Sequence, residues 1–394
     1  MSSLLDFSRL HLRENKAGSF FIKDPILKGI NFSKSQFWLY EIVNTFEFQR
    51  LSKIKQLSLT VNNFPSSTHT RLTHSLGVYE LCNRFIKHFI NAGDLDPTKD
   101  QVAINIALAS ALLHDIGHGP LSHTLEKAFP NFHHERMSVK ILNLEDTKIN
   151  SLLRKKALSD GLEEWFYIRE IEKVLNKTSE YKWIVDLIAS SIDIDRLDFL
   201  VRDSYYSGVR YGNTIDVNLF IKWSVLRKDK EGSLRFLFLK KAKNMIGSFL
   251  LTRYHMYEEL YRNKVSLIYE EILKRIFQTF KKHAEDLKDN FYFQKIKFFF
   301  NEESEWNVLE FLELSDEILL FMIDNILKAD IPEFRELRAL FSGFLNTKNV
   351  DEYLEIAPLG ASSNVAGELI KVSLWDSKKE EIFNMTVNIS DFYS

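Results

Sequence analysis

The stretch Ala111-Leu112-Leu113-His114-Asp115-Ile116-Gly117-His118-Gly119-Pro120-Leu121-Ser122-His123 sets three histidines and an aspartate directly after an apolar run. A run without a polar face belongs to a buried helix, and Gly117, Gly119 and Pro120 stop that helix where His114 and Asp115 would face a cavity. Imidazole and carboxylate are ligands for a hard-to-borderline divalent ion. A buried helix that ends in such ligands reads as the wall of an active site.

Helical patterns surround this stretch. From Arg71, the positions His74, Val78, Leu81, Phe85 and Phe89 recur at spacings of three and four, which places His74 on an inward apolar stripe, where it needs a partner. A helix is expected from about Asp100 to Asp115, and another from about Lys182 to Tyr206. On the latter, Leu187, Ser191, Asp195, Asp198 and Arg202 share one face, so its carboxylates point into a cavity. Gly18 to Ile30 carry Gly and Asp-Pro turn signals that suit a small hairpin, and Trp223 to Leu239 alternate around Lys228-Asp229-Lys230-Glu231-Gly232-Ser233 as a second one. A long helix should run from about Lys243 through Phe280, followed by helical segments to about residue 345 and strands such as Glu368 to Trp375.

Composition narrows the class. The chain has 394 residues, 45% of them hydrophobic, with no internal repeat and no coiled-coil heptads. Its longest apolar stretches, such as Ile318 to Ile323, fall far short of the ~20 residues that span a bilayer, so no membrane partner is expected. Met1-Ser2-Ser3-Leu4-Leu5-Asp6 lacks the basic and apolar parts of an export signal. Cys82 is the single cysteine, so no internal disulfide forms and any metal is held by nitrogen and oxygen; a cytoplasmic location is expected. With 52 basic against 54 acidic residues, broad nucleic-acid affinity is not expected, and phosphate binding must be local.

His74, His114, Asp115 and Asp195, brought together from three helices, would give two imidazoles and two carboxylates around one divalent ion. Mn, Fe, Mg, Ni and Zn all suit that set, with positions left for water and a phosphate oxygen. The ordered pattern Arg71-Leu72-Thr73-His74-Ser75-Leu76-Gly77, then HDIGHGPLSH from His114, then Asp193-Ile194-Asp195-Arg196-Leu197-Asp198-Phe199 resembles the HD-domain superfamily. Within it, the pattern is similar to the SAMHD1-like and bacterial dGTPase-like deoxynucleoside triphosphate triphosphohydrolases, from about Lys23 to Lys264. The resemblance implies a mainly α fold: an HD-domain helical core with small β-hairpins and a C-terminal α+β accessory region. The expected division is 1–50 for an N-terminal hairpin and opening helix, 51–275 for the catalytic core, and 276–394 for an accessory and assembly region.

The resemblance also implies roles. His74, His114, Asp115 and Asp195 would be the metal ligands. His118, His123, Glu126 and His134 would line the phosphate side and move the proton that the departing 5′ oxygen needs; the family usually has an aspartate where this chain has Glu126. His133 alone reads as a surface residue. Arg71, Arg196 and Arg253 would bind the triphosphate. Tyr261 would wall off the sugar 2′ side, Gln56 with Asp203 would hold the 3′ hydroxyl, and Leu57 and Phe199 would pack sugar or base; as residues, Tyr261 and Phe199 would serve equally as core aromatics. In activator-regulated relatives an acid and a usual arginine stand where this chain has Asn44 and Ser52. An amide cannot accept both guanine donors as a carboxylate does, so guanine-nucleotide activation of that kind is not expected.

The leading expectation is metal-dependent hydrolysis of dNTPs to deoxynucleoside and inorganic triphosphate by a homo-oligomer, a dimer or tetramer. The alternatives are an HD-domain phosphohydrolase acting on another nucleotide, a monophosphate or an alarmone, or a non-catalytic nucleotide sensor on the same fold.

Overall fold

In the computed structural model, which describes residues 19–302, 306–346, 369–379 and 381–388, the helix Arg71–Ala92 runs through the middle of the molecule. His74, Val78, Leu81, Phe85 and Phe89 are all fully buried, as their spacing requires. Helix Gln101–Leu113 packs along one side of it and helix Ile194–Ser207 along another. Every residue of Gln101–Leu113 from Ala103 onward is buried, which explains why this segment lacks a polar stripe. His114 caps its C-terminal end, so the apolar helix delivers His114 and Asp115 to its inner tip.

Two helices expected to be continuous are interrupted. The one from Lys182 ends at Ile188, and a new helix starts at Ile194. Asp193 is the cause: its side chain accepts from Arg196 N (2.8 Å), an N-cap that competes with continued helix. Leu187 and Ser191 therefore do not share a helix with Asp195, whereas Asp195, Asp198 and Arg202 do. The helix from Lys243 closes at Met256, passes through one π-helical turn at Tyr257–Tyr261, and restarts at Lys264–Lys282, capped by Asn263. Such wide turns redirect side chains, and here they turn Tyr257 and Tyr261 toward the cleft described below.

The strands are peripheral. Strands β1 (Phe20–Ile22) and β2 (Ile30–Phe32) form an antiparallel hairpin. Strands β3 (Ser224–Lys228) and β4 (Leu234–Leu239) form a second, and β4 pairs in parallel with β5 (Leu369–Asp376), which pairs with β6 (Glu381–Asn388). No helix among the described residues is long and apolar enough to cross a membrane.

The first hairpin is tied to the core by charge. Asp24 accepts from Ile26 N and Leu27 N in its own turn, and its other oxygen accepts from Arg202 Nη1 (2.7 Å). Arg202 is fully buried and is also held by Asp198 through Nε and Nη2, both at 2.8 Å. Removing one partner of a buried ion pair costs about 3–5 kcal/mol, because the remaining charge stays buried. Asp24→Ala is expected to lower unfolding stability by about that amount in urea titration; an unchanged midpoint would contradict the tie.

Candidate active site

His74 faces inward from the first turn of Arg71–Ala92, and its Nδ1 lies 2.9 Å from Asp198 Oδ2. His114 Nδ1 lies 3.0 Å from the Ala111 carbonyl oxygen. Both partners can only accept, so each Nδ1 carries a proton, and Nε2 is the atom that a metal would use in place of a second proton. Neither Nε2 has a hydrogen-bond donor, although both are buried. What they face is negative: His74 Nε2 is 3.0 Å from Asp195 Oδ1 and 3.6 Å from Asp115 Oδ2, and His114 Nε2 is 3.4 Å from Asp115 Oδ1 and 3.6 Å from Asp195 Oδ1. Two ligand atoms about 2.1 Å from a shared ion are about 3.0 Å apart at a right angle and about 3.4 Å apart at the tetrahedral angle. The separations fall near that range, so His74, His114 and Asp115 could hold one divalent cation, with Asp195 lying against both imidazoles. The ligand atoms of His74, His114 and Asp115 all lie within 4.8 Å of one another.

The electrostatics agree. Burial works against a charge on His74, yet hydrogen bonds with the Asp195 and Asp198 carboxylates outweigh it and push the imidazole up to about 10. Burial likewise opposes ionisation of Asp115 and Asp195. His114, His118 and Arg71 hold Asp115 well below the usual carboxylate range, and His114 with His74 does the same for Asp195. The pocket demands positive charge at its centre.

Around this centre, Arg71 Nη1 donates to Asp115 Oδ2 (2.6 Å) and its Nε donates to Ser122 Oγ (3.0 Å). The rings of His118 and His134 are stacked, with centroids 3.9 Å apart. Two imidazoles at that distance do not both carry charge. Burial together with Arg71 and His134 keeps His118 neutral, whereas for His134 a hydrogen bond with Glu126 outweighs burial and favours the charged form. Glu126 bridges His134 Nδ1 and His123 Nδ1, each at 2.6 Å. Gly117 permits this assembly: a Cβ there would run into the His134 carbonyl and Ser138 N.

These groups open onto a cleft of about 1730 Å³. Apart from His74 and Glu126, every residue given a metal, proton or substrate role lines it: Arg71, His114, Asp115, His118, His123, His134, Asp195, Arg196, Phe199, Asp203, Arg253, Tyr261, Gln56 and Leu57; Asp198, expected to point into a cavity, is instead buried against His74 and Arg202. Arg196 is partly engaged, with Nη1 donating to Ser190 O (2.8 Å) and pairing with Asp193. Asp203 accepts from Tyr261 OH and pairs with His69 Nε2, both at 2.7 Å. Sequence reasoning missed His69; the signal was its place two residues before Arg71, opposite an aspartate two turns beyond Asp195. It also passed over the Asp24–Arg202 pair behind Asp198. Asn44 Nδ2 donates to Tyr40 O (2.9 Å) and Ser52 Oγ to Gln49 O (2.7 Å), so both donors are satisfied locally.

Residues 71–188 match the HD domain family. The protein MG461 of Mycoplasma genitalium is 36% identical over 291 residues, covering 70% of this chain and 64% of MG461. The deoxynucleoside triphosphate triphosphohydrolase SAMHD1 homolog of Dictyostelium discoideum is 28% identical over 336 residues, covering 80% of this chain and 58% of that protein. The aligned chain thus spans less than two thirds of the length of these relatives. A solved phosphohydrolase from Bacteroides thetaiotaomicron shares the fold, with a TM-score of 0.69 at 23% identity over 94% of this chain and 96% of that one.

Asp198→Asn leaves a single acceptor oxygen where His74 Nδ1 and Arg202 now share two, and so loosens the group that fixes the His74 tautomer. Second-layer changes of this kind weaken metal affinity by about 10- to 100-fold. Equilibrium dialysis with Mn or Zn should show that loss, and an unaltered affinity would refute the role given to Asp198.

Proposed function

Because residues 71–188 of this chain form an HD domain, we propose that it is a metal-dependent phosphohydrolase that cleaves deoxynucleoside triphosphates into deoxynucleoside and inorganic triphosphate. The observation that carries this is the pair of donorless imidazole nitrogens facing two carboxylates, with the Arg71 guanidinium bonded to one of them. A divalent ion held by His74, His114, Asp115 and Asp195 would polarise a phosphoryl oxygen and lower the pKa of a bound water. The similarity to the Dictyostelium triphosphohydrolase supports the choice of substrate class.

The other residues suit that load. A triphosphate needs several cations, and Arg71, Arg196 and Arg253 line the same cleft. His118, His134, Glu126 and His123 form a connected set of proton-holding groups at the metal side. A proton held there could pass to the 5′ oxygen as triphosphate leaves. On the sugar side, the Tyr261 hydroxyl is fixed by Asp203, which His69 fixes in turn. A ring immobilised in this way would exclude a 2′ hydroxyl. Both Asp203 oxygens already have partners, so the buried Gln56 Oε1, which has none, is the better acceptor for a 3′ hydroxyl. Assembly as a dimer or tetramer belongs to the same proposal, with light scattering in the presence and absence of dNTPs as its measure.

Anion-exchange analysis after incubation with each dNTP and Mn should show inorganic triphosphate, and chelation should abolish its release. Pyrophosphate or orthophosphate as first product would sink the proposal. Tyr261→Ala should raise the kcat/KM for a ribonucleotide relative to its deoxy counterpart by about tenfold or more; an unchanged ratio would remove Tyr261 from sugar selection.

A further inference from the structure

The loop between His118 and His123 is held in an unfavourable shape. Leu121 and Ser122 are consecutive non-glycine residues with positive φ, 60° and 48°. Such conformations cost on the order of 1–3 kcal/mol each and persist only where neighbours enforce them. The enforcement comes from three places. Ser122 Oγ donates to the Lys55 carbonyl (3.1 Å) and accepts from Arg71. Arg50 Nη2 donates to the carbonyls of Ile116 (2.9 Å) and His118 (2.8 Å), its guanidinium lying over the Phe311 ring at 4.8 Å. The third is remote in sequence: Asp316, 1% exposed, accepts from Leu121 N through Oδ1 (2.7 Å) and from Lys55 N through Oδ2 (2.8 Å).

We infer that Asp316 is a positioning residue for the active site, clamping the strained Leu121–Ser122 turn to the segment before Arg71 and so fixing where Arg71, His118 and His123 stand. One carboxylate spans two backbone N–H groups from separate segments, each next to a residue that lines the cleft, Ser122 and Gln56. No other residue type of that size has two acceptor atoms and no donor. Ser122 sits between them, and its hydroxyl is the acceptor for Arg71 Nε, so the clamp reaches a phosphate-side cation through two hydrogen bonds. Asp316 opens the helix Asp316–Ile326, whose N-cap is Ser315. A helix far beyond the HD domain thereby becomes part of the site's support. Misplacement of reacting groups by about 1 Å costs about 100-fold in rate, which is the scale at which such a clamp matters.

This inference rests on the phosphohydrolase proposal for its activity readout alone. The test compares Asp316→Asn with Ser315→Ala in the full chain. Asparagine keeps the shape but turns one acceptor into a donor, leaving Leu121 N or Lys55 N without a partner. Ser315→Ala weakens the same helix through its cap, where Ser315 Oγ accepts from Ile318 N, and leaves the loop bonds intact. Asp316→Asn should keep its bound metal, lose kcat on dNTPs by about 10- to 100-fold, and show faster amide exchange at Leu121 and Lys55. Ser315→Ala should retain kcat and those exchange rates. Equal loss of kcat in both variants, or wild-type kcat in Asp316→Asn, would overturn the assignment. So would unchanged exchange at both amides, a result that stands even if the wild-type protein releases no triphosphate from any dNTP.

Discussion

A guanidinium sealed inside a protein must be neutralised, and the rest of the site depends on how Arg202 meets that requirement. Two carboxylates surround it: Asp24 from the N-terminal hairpin and Asp198 from its own helix. Asp198 Oδ2 accepts from Arg202 Nε and His74 Nδ1 together, so the arginine's demand for a fixed carboxylate also sets the tautomer of His74. Gly77 belongs to the same arrangement, because a side chain there would occupy the space of the Asp198 carboxylate and the Arg202 guanidinium. Buried charge of this kind contributes little net stability compared with apolar packing. What it contributes is direction: the hairpin and two helices are joined through atoms that have one workable orientation.

From that fixed point the charges alternate outward. Asp115 and Asp195 are held ionised by the imidazoles and Arg71 that adjoin them, and the His118 and His134 rings behind Asp115 are driven in opposite directions by burial, Arg71 and Glu126. A neutral and a charged imidazole stacked face to face stay unequal, an asymmetry set by their neighbours rather than by the rings themselves. Glu126 in place of a shorter acid is accommodated, since it reaches both His123 and His134 at 2.6 Å.

Much of this was legible in the chain because local rules coincide with function. The stripe from His74 to Phe89 had to be buried, the apolar helix before His114 had to end inside, and the spacing from Asp195 to Asp203 runs along one helix. The helix breaks were less legible. Asp193 and Asn263 both read as polar residues within longer patterns, and only the caps they form reveal them as starts. The supports were not legible at all. Arg50, Asp24 and Asp316 meet their partners across 66, 178 and 195 positions, and no periodicity relates residues so far apart.

Two groups of cleft-lining residues differ for the same reason. Arg71, His114 and His118 gather on the Asp115 carboxylate, at 2.6 Å, 3.4 Å and 3.4 Å, and phosphoryl chemistry tolerates little displacement of groups arranged in this way. That requirement compresses the residues into short motifs, which is why they can be read. Phe199, Tyr257 and Tyr261 instead offer aromatic shape, and the last two sit on a π-helical turn that interrupts a helix the sequence pattern would have continued. Shape can be met by many residues at many spacings. The aromatic part of the cleft therefore leaves the weakest trace in the sequence.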